Sequence, residues 1–123
     1  IAIDRGKGTR ALKQVIEKGT DRLDKGLWVV IFPEGTRSRN GELGEFKRGG
    51  AKVMLSAADR LDVVPVAIDG SWRLLVSNLF PVPFGTRIRV RFGDPIRREP
   101  GDAEAVASSA EEWIRRTIGE WRQ

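Results

Sequence analysis

The stretch LWVVIF, Leu27 to Phe32, is a continuous apolar run that feeds directly into PEGTRSRNGELGEFKRGG, residues 33–50. The run is rich in β-branched residues, the pattern of a strand buried on both faces, as in a parallel sheet. Pro33 ends it by withholding a ladder donor. A polar loop leaving the C-terminal end of such a strand lies where open parallel sheets bind ligands. Gly35 lets the backbone approach a ligand closely or take a positive φ. Arg37 offers a planar fork of donors suited to a phosphate or carboxylate. Thr36 and Ser38 add hydroxyl donors. Lys47 and Arg48 precede the Gly49–Gly50 pair and the start of a predicted helix. Two cations at a helix N-terminus repel its dipole, and they make sense where an anion is shared there. Glu34 is the counterweight: it either pairs with a neighbouring arginine and holds it in place, or takes part in polar chemistry. A plain surface loop with a turn at Asn40–Gly41 is the alternative reading.

The flanking segments alternate helix and strand. Leu12, Val15, Ile16 and Leu23 share one side of a predicted helix over Thr9–Lys25, with Gly26 as its stop and Gly19 as a weak point of about 1 kcal/mol. Residues 51–60 read as a short helix and Val63–Ile68 as the next strand, giving a right-handed parallel βαβ unit with the 27–32 run. Pro65 inside that strand argues for an edge or an irregularity. Residues 71–84 are ambiguous, with a short helix as one reading. Over Thr86–Phe92, Ile88, Val90 and Phe92 alternate with Arg87, Arg89 and Arg91, which predicts a strand with a wet arginine face. Asp102 is the expected cap of a last amphipathic helix carrying Val106, Ala110, Trp113, Ile114, Ile118 and Trp121 on one side. The fold class is therefore α/β, a mostly parallel open sheet flanked by helices.

Composition bounds the function. The 123 residues amount to one small domain or a piece of one, and 40% hydrophobic with 32% charged residues suits a globular chain. A net charge of +5 favours an anionic partner such as a phosphate ester, an acidic membrane surface or nucleic acid; a solvated basic surface is the plainer reading. There is no cysteine, so no disulfide, thiolate nucleophile or zinc–thiolate site. No run approaches the roughly 18 apolar residues of a membrane span. The chain opens IAIDRG without a methionine, in what reads as the end of a buried strand. The expectation is that the front of a larger protein is missing, a processed terminus being the alternative.

Other features are weaker. In IDRGKGT, Ile3 to Thr9, Asp4 and Arg5 also follow a strand end, so Arg5 can reach the same crevice; the full phosphate-loop pattern is absent. The arginine row at 87, 89 and 91 suits acidic lipid or nucleic acid, but a solvated strand face is the favoured reading. Trp113 and Trp121 lie on an apolar helix face and are expected in the core. The chain has no histidine. No Ser–His or Cys–His pair can form, and the residues show an anion-gripping crevice with no evident general base.

These motifs resemble the glycerolipid acyltransferases, specifically the 1-acyl-glycerol-3-phosphate acyltransferases, over essentially the whole chain. The heptapeptide FPEGTRS, Phe32 to Ser38, matches one family block in full. IAIDR at 1–5, the Phe-Lys-x-Gly of 46–49 and Val64-Pro65-Val66 match others in order and spacing. The resemblance implies an acyltransferase fold of which residues 1–123 are the C-terminal portion of a single domain. It also implies acyl transfer from acyl-CoA or acyl-carrier protein to lysophosphatidic acid, giving phosphatidic acid. Arg5 and Arg37 would bind the acceptor phosphate, Glu34, Gly35 and Thr36 would shape the acceptor site, and Pro65 would define the acyl side. Ser38 and Lys47 join that site on their chemistry. The family's His-x-x-x-x-Asp block, which supplies the base, is absent, so no catalytic residue is expected in this chain and the chain alone is expected to be inactive. No metal or cofactor is implied beyond the thioester co-substrate. A membrane surface is an implied partner, nucleic acid is not, and the implied location is the cytoplasmic face of a membrane. Glycerol-3-phosphate or a lyso-ornithine lipid as acceptor, or a non-catalytic anionic-lipid or nucleic-acid binding module, remain as alternatives.

Overall fold

A computed structural model of the chain describes residues 8–74 and 83–123. The elements run in the order α1 (Gly8–Asp24), α2 (Arg48–Ala57), β1 (Val66–Asp69), a 3-10 turn (Ser71–Leu74), β2 (Arg89–Phe92) and α3 (Ala103–Arg122). The class is α/β. Packing passes from α1 to α2, from α2 to α3 and from α3 to β1, which pairs with β2.

The helices follow their apolar periodicity. In α1, Leu12, Val15, Ile16 and Leu23 are half-buried. Gly26, at φ 73°, closes the helix. Its N–H donates to the Leu23 carbonyl at 2.9 Å, and the Leu27 N–H donates to the Arg22 carbonyl at 3.0 Å. That pair of bonds satisfies carbonyls the helix end leaves open. Gly19 is the point where α2 touches α1: a Cβ there would lie 2.6 Å from the Met54 methyl. Met54 is 3% exposed, a burial worth about 2 kcal/mol. The glycine that weakens the helix locally is the one that admits this side chain. In α3, Val106 and Ile118 are buried, and Trp113 packs against Gly93.

Arg98 joins α2 to the start of α3. Its side chain is 2% exposed. The guanidinium donates to the carbonyls of Leu55 (3.0 Å) and Ala58 (3.2 Å) and to Asp102 Oδ1 (2.8 Å). It therefore satisfies the open C-terminal carbonyls of α2. Asp102 sits at the predicted cap position of α3, but its carboxylate makes no capping bond. It turns back to Arg98 and to the Glu99 N–H instead, and the Arg98 guanidinium holds its carboxyl below the usual carboxylate range.

The sheet corrects two expectations. Among the described residues it has two strands, and they are antiparallel, with Val66 opposite Phe92 and Ile68 opposite Val90. Val63 bridges Ile96 one step out of that register. Two residues of one strand then face three of the other, a bulge that accommodates Pro65 without a donor. Residues 27–32 form no strand, and no parallel pairing with β1 is made among the described residues. The run is open instead, with Trp28 85% and Phe32 70% exposed. A strand buried on both faces exists only through its neighbours, and the described residues place none beside this one.

The second correction concerns β2. Its arginines were expected in solvent and its apolar residues inside. The structure places Arg89 against the end of α3, donating to the Trp121 carbonyl at 2.5 Å. Arg91 donates to Glu120 at 3.2 Å and lies 5.4 Å from the Trp121 ring centroid. Phe92, by contrast, is 71% exposed, and Ile88, Val90 and Ile68 are exposed with it. Helix-end carbonyls attract cations, which suits the Arg89 contact with the end of α3. Of the ambiguous 71–84 stretch, Ser71–Leu74 is helical; residues 75–82, like Arg5 in the 1–7 segment, lie outside the described residues.

Candidate functional site

The site is the loop from Pro33 to Lys47, closed at its base where the Lys47 N–H donates to the Pro33 carbonyl at 2.8 Å. The Gly35 N–H donates to the Phe32 carbonyl at 3.0 Å, making a tight turn in which Gly35 takes φ 67°. The Lys47 side chain lies over this turn. Its Nζ is 3.5 Å, and its Cδ 3.3 Å, from the point a Cβ on residue 35 would occupy. Any larger residue there would push the lysine aside, and a positive φ would strain it besides.

Glu34 pairs with no arginine among the described residues. Its Oε2 accepts the Gly44 N–H at 2.7 Å, spanning the loop. Ser38 is spent on the turn that follows: its Oγ accepts the Gly41 N–H at 2.9 Å and contacts Asn40 Oδ1 at 3.3 Å. Asn40 in turn accepts the Glu42 N–H at 3.1 Å, the local side-chain bonding expected of an Asn-Gly turn. Gly41, at φ 84°, lies flat against Trp72, where a Cβ would fall 2.5 Å from the indole nitrogen.

Thr36 and Arg37 are exposed, and their side chains make no hydrogen bond or ion pair with the described residues. Helix α2 begins directly after Lys47, with no acidic residue in its first turn and no side-chain cap. Gly49 and Gly50 face open space. Thus Lys47, the uncapped first turn of α2 and the Gly35 turn come together, with Arg37 two residues on. That set of donors suits a phosphate ester. It contains no group suited to removing a proton from a hydroxyl near neutral pH.

Pro65 has different surroundings. It is buried against Gly93, and with Asp94, Ile96, Trp113 and Arg116 it lines a shallow cavity of about 270 Å³ beside α3. Sequence reasoning missed Arg115 and Arg122 of α3. Arg115 donates to the Gly44 carbonyl at 3.1 Å, and Arg122 to the Gly41 carbonyl at 2.5 Å. Arg122 also pairs with Asp69 at 2.6 Å and holds that carboxyl below its usual range. The acceptors on the loop are backbone atoms, so side-chain identities gave no signal of these contacts.

Comparison with known proteins places this loop in context. The chain is 38% identical over 98% of its length to the 1-acyl-sn-glycerol-3-phosphate acyltransferase of Pseudomonas aeruginosa. It is 33% identical over 85% to the coconut (Cocos nucifera) protein of the same name, and 30% identical over its full length to a probable one from Mycoplasma pneumoniae. It spans 46%, 33% and 48% of those relatives. No solved structure matches the chain. The family model described as Acyltransferase matches residues 1–69, a span that carries the whole Pro33–Lys47 loop, and with these relatives it shows that the chain belongs to the acyltransferase family.

Proposed function

We propose that this chain is the acceptor-binding part of a 1-acyl-sn-glycerol-3-phosphate acyltransferase. The reaction moves an acyl group from acyl-CoA or acyl-carrier protein to the free hydroxyl of lysophosphatidic acid. The hydroxyl oxygen attacks the thioester carbonyl, the C–S bond breaks, and the proton leaves the hydroxyl for a base and reaches the departing thiolate. Arg37 and Lys47, with Arg5, hold the acceptor phosphate; Glu34, Gly35 and Thr36 shape the site; Pro65 serves the acyl side. No cofactor beyond the thioester takes part. The base belongs to a His-x-x-x-x-Asp block outside this chain, so residues 1–123 are the C-terminal portion of one domain and give no turnover alone. In the longer protein the 27–32 run joins a parallel sheet. The lipid acceptor is met at the cytoplasmic face of a membrane, although no helix among the described residues is long and apolar enough to cross one.

The observation that carries this reading is the open cation pair: Arg37 is exposed and unengaged by the described residues while Lys47 is folded over Gly35. The names of the relatives support the acceptor. The competing binding-module reading relied on the arginine strand, and Arg89 and Arg91 are engaged with α3. An acyl-transfer assay on the full-length protein, offering lysophosphatidic acid, glycerol-3-phosphate and lyso-ornithine lipid in parallel, tests the reading. Lysophosphatidic acid is expected to be preferred. Arg37→Ala is expected to lower kcat/KM for that acceptor about 100-fold; unchanged kinetics would remove Arg37 from the site.

A further inference from the structure

The loop that carries Arg37 is bound to the C-terminal helix at two points, and both points are backbone carbonyls. Arg115 donates through Nη2 to the Gly44 carbonyl at 3.1 Å and through Nε to Glu111 at 3.0 Å, and lies 5.5 Å from the Phe46 ring centroid. Arg122 donates through one nitrogen to the Gly41 carbonyl at 2.5 Å and to Asp69 at 2.6 Å. The two arginines lie two helical turns apart and therefore on one side of α3, with origins about 10 Å from each other.

Each contact continues into the site. The peptide nitrogen of Gly44, the residue whose carbonyl Arg115 holds, donates to Glu34. Glu34 is bonded directly to Gly35, and Arg37 follows two residues later. The Gly41 N–H donates to Ser38, the residue after Arg37. Arg37 is thus bracketed by two anchored neighbours, and each anchor traces to one arginine of α3.

We infer that Arg115 and Arg122 are positioning residues for acceptor binding: a two-point clamp on the Gly41 and Gly44 carbonyls that sets where Glu34–Arg37 presents its donors. This inference rests on the acceptor-phosphate reading of Arg37. The clamp touches no substrate itself. Its contribution lies in holding a flexible loop near one geometry, so that the arginine fork meets the phosphate without first being ordered. Exposed ion pairs and loop contacts add little to global stability, so the effect of the clamp is expected on acceptor affinity rather than on folding.

The test is steady-state kinetics on the full-length enzyme carrying Arg115→Ala together with Arg122→Ala, with the KM values for lysophosphatidic acid and acyl donor measured separately. The KM for lysophosphatidic acid is expected to rise about tenfold while the donor KM stays unchanged. Amide exchange at Gly41 and Gly44 should quicken, with the buried amides of α3 and β1 unaffected. An unchanged acceptor KM, or both KM values rising together, overturns the clamp. Should the double variant not fold, Arg115→Met supplies the same readout. A methionine keeps an apolar stem but has no donor for Glu111 or Gly44, so the acceptor KM should again rise, and no rise overturns the inference. Arg37→Ala measured alongside separates the two ideas. If it leaves the acceptor KM unchanged, the phosphate reading fails. If it raises that KM while the clamp variants do not, only the clamp fails.

Discussion

Two adjacent segments of this chain, residues 27–32 and 33–47, reverse the usual relation between polarity and order. The first is almost wholly apolar and lies open, with Trp28 85% exposed. The second is polar and charged, yet it is fastened by Glu34 to Gly44, by Ser38 to Gly41, and by two arginines to α3. Hydrophobic burial is non-directional and needs a partner surface, whereas a loop can satisfy much of its own backbone from nearby side chains. The polar segment carries its fastening with it or takes it from one helix. The apolar one has no partner surface among the described residues.

That contrast can be broken by moving polarity into the open run. In this chain Val30→Asp is expected to change stability by under about 0.5 kcal/mol, because Val30 is exposed. In the full-length protein, where the run is proposed to be a buried strand, the same change is expected to cost about 4 kcal/mol. Denaturant unfolding of both forms measures the difference, and equal costs would remove the parallel-strand proposal. Within the fastened segment, Gly41→Ala meets both a positive φ and the Trp72 ring, and a loss of about 2 kcal/mol is expected in the same experiment. Glu34→Gln should cost about 1 kcal/mol by weakening the charge-assisted bond to Gly44.

The smallest effect is on pH dependence. Asp69 and Asp102 have carboxyls held below their ordinary range by Arg122 and Arg98. Depressed folded values mean that these groups stabilise the fold above the unfolded carboxylate pKa of about 4, and that this stability is lost as pH falls through the folded values. The unfolding midpoint should be level from neutral to about pH 5 and decline below about pH 4. Arg122→Gln should flatten part of that decline.

The parts of this fold that were legible in the sequence are those with local causes. Apolar spacing located α1, α2 and α3 to within a few residues, and Gly26 marked the end of α1 through its positive φ. Arg37 and Lys47 were picked out by residue chemistry, and the structure brings Lys47 to Gly35. What escaped detection has distant causes. Strand β2 reads as apolar-in and arginine-out, whereas in the structure Val90 and Phe92 are exposed and Arg89, with the half-exposed Arg91, meets the end of α3. Arg115 and Arg122 hold carbonyls about seventy to eighty residues away, and every residue has a carbonyl, so no side-chain pattern marks the acceptor.

Arg98 carries a consequence for how such a chain can change in length. It stitches the last carbonyls of α2 to the start of α3, while the first residues of the same helix follow directly on Lys47 and its contact with Gly35. Inserting one residue within α2 would rotate one end against the other by about 100° and lengthen the rod by about 1.5 Å. The stitch and the lysine contact could not both survive. Insertions and deletions among related chains should therefore spare α2 and collect in exposed turns such as those at Gly26 and Gly101, leaving this short helix a fixed ruler between the Pro33–Lys47 loop and the body of the domain.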